Sequence, residues 1–116
     1  KQICNSTCAV SGCHDSQSQA GDLLLEVGAS YTNLVNVDPD NGTALTAGYK
    51  RITQISPTTG DANTSFLFKK ITNDLAAGMG SRMPLVGPPL GANLTEIIRL
   101  WIEAGSPPTG WVPGTF

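Results

Sequence analysis

Seven residues at 8–14, CAVSGCH, constrain this chain more than any other stretch. They set two thiols five positions apart with a histidine directly after the second, and no other histidine occurs in the 116 residues. Cys8, Cys13 and His14 therefore form one chemical unit: two nucleophilic sulfurs and one imidazole on a short loop. The four-residue spacer must bulge. Gly12 can take the positive φ that such a bulge needs, and the small Ala9 and Ser11 leave room for a flat group against the backbone.

The order of residues is close to the C-x-x-C-H haem-attachment signature, in which both cysteines form thioethers with the haem vinyl groups and the adjacent imidazole reaches the iron. A spacer of four replaces the usual two. One histidine rules out a bis-histidine site within the chain, so the second axial ligand must be another residue type. The only methionines, Met79 and Met83, both lie in AAGMGSRMPLVGPPL at 76–90. A thioether opposite an imidazole is the ligand pair of electron-transfer cytochromes c and raises the reduction potential. Met83 is favoured over Met79, because Pro84 restricts the preceding backbone to extended conformations and so helps fix the sulfur.

Taken together, CAVSGCHD, GSRMPLVGPPL and the later IIRLWIEAG resemble the small single-haem cytochrome c domains of bacteria that carry an SRMP methionine loop. The resemblance implies an all-α, cytochrome c-like fold: three to four short helices wrapped around one covalently bound haem c. It implies a domain over 1–106, followed by a Pro-rich tail at 107–116. Cys8 and Cys13 would anchor the macrocycle, while His14 and Met83 would bind the iron. The function implied is outer-sphere electron transfer to redox partner proteins, not enzyme catalysis. Arg51, Arg82, Tyr31 and Trp101 are candidates for contacts to the propionates or the ring edge, against solvation or plain core packing for each.

Composition narrows the setting. Charged residues make up 14% of the chain, Ser and Thr number twenty-one and the formal net charge is −2. No basic face is available for nucleic acid, and no apolar run approaches the roughly 18 residues of a membrane span. A hydroxyl-rich, weakly charged surface suits a periplasmic or extracellular protein, and a start at Lys1 leads to the expectation that a signal peptide has been removed. Four N-x-S/T sequons, at Asn5, Asn41, Asn63 and Asn93, are read as polar composition. Low charge also suits self-association. The odd thiol Cys4, together with Trp111 and Phe116 in the proline-rich tail, leads to the expectation of a head-to-tail homo-oligomer or filament.

Along the chain, a short helix is expected over 1–10, and an apolar run at Leu23–Leu25 follows a polar loop. ASYTNLVNV at 29–37 reads as a helix capped by Ser30, with Tyr31, Leu34 and Val35 on one face. DPDNG at 38–42 is a turn, and 43–60 reads as irregular or short extended structure. Asp61 caps a helix over about 63–73 whose last turn carries Lys69 and Lys70. The final helix starts at a capping-box-like Asn93 with Glu96 and carries the stripe Leu94, Ile97, Ile98 and Trp101. Gly105 and Pro107–Pro108 stop it.

Three other readings use the same residues. A secreted structural or adhesive module could hold Cys8–Cys13 as a disulfide and need no cofactor. A zinc or iron–sulfur site could draw on Cys4, Cys8, Cys13 and His14, although four ligands within eleven residues match no common spacing. A Cys-His hydrolase would need a histidine elsewhere in the chain, and there is none.

Overall fold

The structure, a computed structural model, describes residues 3–26 and 29–108, without the side chains of Cys4 and Asn5. Trp111 and Phe116 of the tail, and the Cys4 thiol, lie outside the described residues. The chain divides into two compact units, Lys1–Leu34 and Val35–Phe116.

The architecture is mixed α/β, which overturns the expected all-α, cytochrome c-like fold. Among the described residues two helices reach seven residues or more, and a two-stranded antiparallel sheet stands with them. The stretch responsible is TQISPTTGD. Thr53, Ile55 and Thr59 are β-branched and suit a pleated surface, and the Pro57–Thr58 turn folds strand β1 (Thr53–Ser56) onto strand β2 (Thr59–Asp61). Thr53 pairs with Asp61 and Gln54 with Gly60; a bulge then leaves Ile55 as the extra residue, 69% exposed.

The first unit has no element longer than five residues among those described. A π-helical turn covers Cys4–Cys8, a 3-10 turn covers Ala20–Asp22 and helix α1 runs Ser30–Leu34. α1 stops short of the expected 37. Val35 leaves it to bridge Ile52, and Asn36 turns left-handed at φ 56.

Side chains complete the sheet of the second unit. The Asn36 amide donates to the Gln54 carbonyl at 3.1 Å and accepts from the Gln54 amide at 2.9 Å, occupying the open edge of β1. Ser65, fully buried, accepts from the Thr53 amide and donates to the Asp61 carbonyl, so one hydroxyl joins both strands. Asn41 accepts from the Ala44 amide at 3.0 Å and caps helix α2 (Gly42–Thr46), which replaces the irregular chain expected from 43 onwards.

Asp61 does cap a helical turn, by accepting from the Asn63 amide, but the turn is a 3-10 segment at Ala62–Thr64. Helix α3 starts after it, at Phe66, and runs to Thr72. It needs no side-chain cap because Phe66 and Leu67 donate their amides to the carbonyls of Lys50 and Arg51.

Helix α4 (Ala92–Glu103) has Gly91 at its N-cap, and no side chain closes that end. Glu96 turns instead to Arg99, which holds Glu96 and Glu103 together and keeps the Glu96 carboxyl below the usual carboxylate range. At the other end Ser106 donates to Trp101 and Gly105 to Ile102, the paired bonds of a Schellman ending. Gly105, at φ +89, lies on the hairpin turn, where a Cβ would stand 2.6 Å from the Pro57 carbonyl oxygen. Gly60 is tighter still: its Cβ would come within 2.1 Å of the Ile102 carbonyl oxygen. The hairpin and α4 thus meet backbone to backbone.

Gly60→Ala should therefore cost about 3 kcal/mol through overpacking that only a backbone shift relieves. Gly42→Ala, whose Cβ meets nothing within 4 Å, should be neutral or stabilising by up to about 1 kcal/mol. Urea unfolding midpoints measure both, and equal midpoints for the two variants would refute this account of the contact.

Candidate functional site

The CAVSGCH loop is closed at its ends. His14 donates its amide to the Cys8 carbonyl at 3.2 Å, and Cys13 donates to Val10 at 3.0 Å inside that ring. Gly12 sits at φ +84, the left-handed conformation that the bulge was expected to need. The two thiols and the imidazole are all half-buried, and Cys13 is a free thiol.

His14 is held from both sides by the apolar run at 23–25. Leu25 donates its amide to the His14 carbonyl at 2.8 Å, and Nδ1 of His14 lies 3.1 Å from the Leu23 carbonyl oxygen. A carbonyl only accepts, so Nδ1 carries the proton, and in the neutral ring Nε2 keeps its lone pair. No hydrogen-bond partner occupies Nε2 among the described residues. An imidazole fixed at one nitrogen by a backbone carbonyl and open at the other could hold a metal ion at the open nitrogen.

Further bonds hold the acceptor run in place. Asn33 on α1 donates its side-chain amide to the Leu24 carbonyl at 3.0 Å, and Glu26 accepts from the Ser16 amide at 2.6 Å. Leu25 is buried, with 1% of its surface exposed. Neither Leu23 nor Asn33 stands out in the sequence as a site residue. The Leu23 group that matters is a backbone carbonyl, which carries no sequence signal.

The methionines separate clearly in the second unit. Met79 is 4% exposed and belongs to a cluster with Ala44 and Phe66, against which Tyr49 and Leu75 pack; it is a core residue. Met83 is only half-buried, and its amide donates to the Lys70 carbonyl at 2.9 Å. Beyond it the chain exposes Leu85 by 60% and Val86 by 84%, in a stretch without charge.

Among the candidates for propionate contacts, Arg82 spends its guanidinium within its own loop, on the carbonyls of Pro84 and Gly87 at 2.7 and 2.8 Å. Trp101 donates its indole N–H to the Pro107 carbonyl, which is packing at the end of α4. Tyr31 and Arg51 are half-buried, on α1 and just before β1. Lys70 reads in the sequence only as a helix-end charge, yet its ammonium reaches the carbonyls of Met79 and Ser81.

The residues of the loop fit a covalently attached haem: an oriented imidazole with an open nitrogen follows directly on a free thiol, and Cys8 closes the same ring of backbone. Among the described residues no three His, Cys, Asp or Glu side chains gather into a metal cage, and no helix is long and apolar enough to cross a membrane. No family model, curated protein or solved structure matches the chain, so a functional reading rests on these residues alone.

Long-range proton–nitrogen correlation spectra of the haem-free polypeptide with its imidazole neutral should place the His14 proton on Nδ1. A ring protonated mainly at Nε2 would break the link between Leu23 and the open nitrogen.

Proposed function

We propose that this chain is an electron-transfer protein of the cell exterior or periplasm that carries one haem c. The observation that carries the reading is the His14 imidazole, fixed through Nδ1 by the Leu23 carbonyl and open at Nε2, directly after the Cys13 thiol in a loop closed onto Cys8. Cys8 and Cys13 would hold the haem, each thiol adding across one vinyl group with its hydrogen kept in the product, so that nothing would be released. When bound, the haem would supply an iron that gains and loses one electron.

The protein's part is to hold and to shield. The Leu23 hydrogen bond sets the ring plane of His14 and leaves the lone pair on Nε2. Met83 would supply a thioether to the iron, a reading supported by the SRMP string and by the burial of Met79 in the core, which leaves Met83 as the more accessible sulfur. Val10, 38% exposed within the attachment loop, is an apolar side chain available to cover one part of a flat macrocycle. The absence of a histidine beyond position 14 removes the general base that a hydrolase reading would need.

A visible spectrum of the exported protein tests the reading. A strong Soret band that stays with the polypeptide through acid–acetone extraction is the expected result; a colourless protein with a Cys8–Cys13 disulfide overturns it in favour of a structural module. Met83→Ala should remove the near-infrared sulfur-to-iron band of the oxidised form and lower the potential. If Met79→Ala does so and Met83→Ala does not, the ligand assignment is wrong.

A further inference from the structure

The methionine loop has no helix or strand from 73 to 91, yet one residue ties it to α3 three times over, twice through its side chain and once through its backbone carbonyl. Lys70 Nζ donates to the Met79 carbonyl at 2.8 Å and to the Ser81 carbonyl at 2.9 Å, and the Lys70 carbonyl accepts the Met83 amide at 2.9 Å. The bonds fall on alternate residues, 79, 81 and 83, with Gly80 in the left-handed region at φ 80 between the first two. The ammonium also stands 5.3 Å from the centre of the Phe66 ring, within cation–π range.

Two carbonyls and the face of one ring surround the ammonium. The cost of this placement is visible. Burial pulls Lys70 below the ordinary lysine pKa, and no carboxylate lies within ion-pair distance of it among the described residues. Its neighbour Lys69 shows the ordinary alternative: it pairs with the exposed Asp74 at 2.8 Å, and that bond raises its pKa. A partly desolvated cation without a counter-ion is an expensive way to stabilise a helix. It is an effective way to fix two carbonyls of an irregular loop, because hydrogen bonds from a charged donor are among the strong ones.

We propose that Lys70 is a positioning residue for Met83, fixing residues 79–83 on α3 so that the Met83 thioether is presented in a single place. The inference rests on the reading of Met83 as an axial ligand. Met79 and Met83 take different parts in it: Met79 anchors its end of the loop by burial beside Phe66, under the same ammonium, while Met83 stays half-buried and held through its backbone.

The test compares Lys70→Met, which keeps the stem and removes the donors, with Lys69→Met, which removes a neighbouring charge and touches nothing in 79–83. Amide hydrogen exchange at Met83 should quicken about tenfold or more in Lys70→Met, from the loss of bonds to a charged donor, and should not change in Lys69→Met. In the haem-loaded protein Lys70→Met should also weaken the sulfur-to-iron band and lower the reduction potential. Lys70→Arg keeps a cation over Phe66 and covers the case in which Lys70→Met does not fold; its displaced donors should give a smaller shift in the same direction. Unchanged exchange, band and potential in these Lys70 variants would overturn the positioning role while leaving the haem reading intact. A colourless wild-type protein would instead overturn the haem reading and the ligand role together, whatever the exchange shows.

Discussion

The second unit depends on an approach of bare backbone to bare backbone, where the Ile102 carbonyl at the end of α4 lies against Gly60 of the hairpin. No side chain could stand there. The approach lets Gln54 reach from β1 to donate to the Gly105 carbonyl at 2.8 Å, and it leaves Ile52 and Ile102 without exposed surface. A two-stranded hairpin is marginal by itself in water. This one is held by the helix on one side, by the Asn36 amide along its open edge and by the Ser65 hydroxyl across its base. Three polar side chains and two glycines thus do what further strands do in a larger sheet.

The same economy shapes the two loops that bear on function. In the first unit, backbone carbonyls at 8 and 10 close the CAVSGCH segment, and the carbonyl at 23 sets the tautomer of the only histidine. In the second, one ammonium fixes the carbonyls that lead to Met83. Both loops are irregular chain held by specific hydrogen bonds, which is the expected way to keep a reactive group fixed without regular secondary structure. The ordering cost of the loops is offset locally, and each reactive side chain stays partly open.

Several elements were legible because they depend on near neighbours in sequence. Asp61 caps the helical turn at 62–64, Gly105 ends α4 and Lys69 sits at the end of α3, all from local chemistry. Others failed for an identifiable reason. Asn93 and Glu96 have the spacing of a capping box, but α4 starts at Ala92, which puts Asn93 one residue inside the helix, and Arg99 is a stronger partner for Glu96 than a backbone amide. Val35 shares a helical face with Tyr31 by its spacing, yet it bridges Ile52 instead. Ile52 and Ile55 look equivalent in sequence, yet Ile52 is fully buried where it bridges Val35 and Ile55 is exposed as the extra residue of the bulge. The hairpin that makes the fold mixed, not all-α, is visible only as loosely alternating β-branched residues.

What the sequence determined by itself is the chemistry: two thiols and the sole histidine in seven residues, and two methionines in one glycine- and proline-rich loop. Those facts come from residue identity and spacing, and no packing can alter them. Tertiary structure alone decided which atoms of these groups are used. It buried Met79 and left Met83 open, it gave the Nδ1 proton of His14 to Leu23, and it turned Lys70 from a helix-end charge into the tie of the methionine loop. Each of those outcomes rests on a backbone carbonyl or an apolar neighbour brought in from elsewhere in the chain, and a carbonyl is present at every residue, so its use cannot be read from the letters.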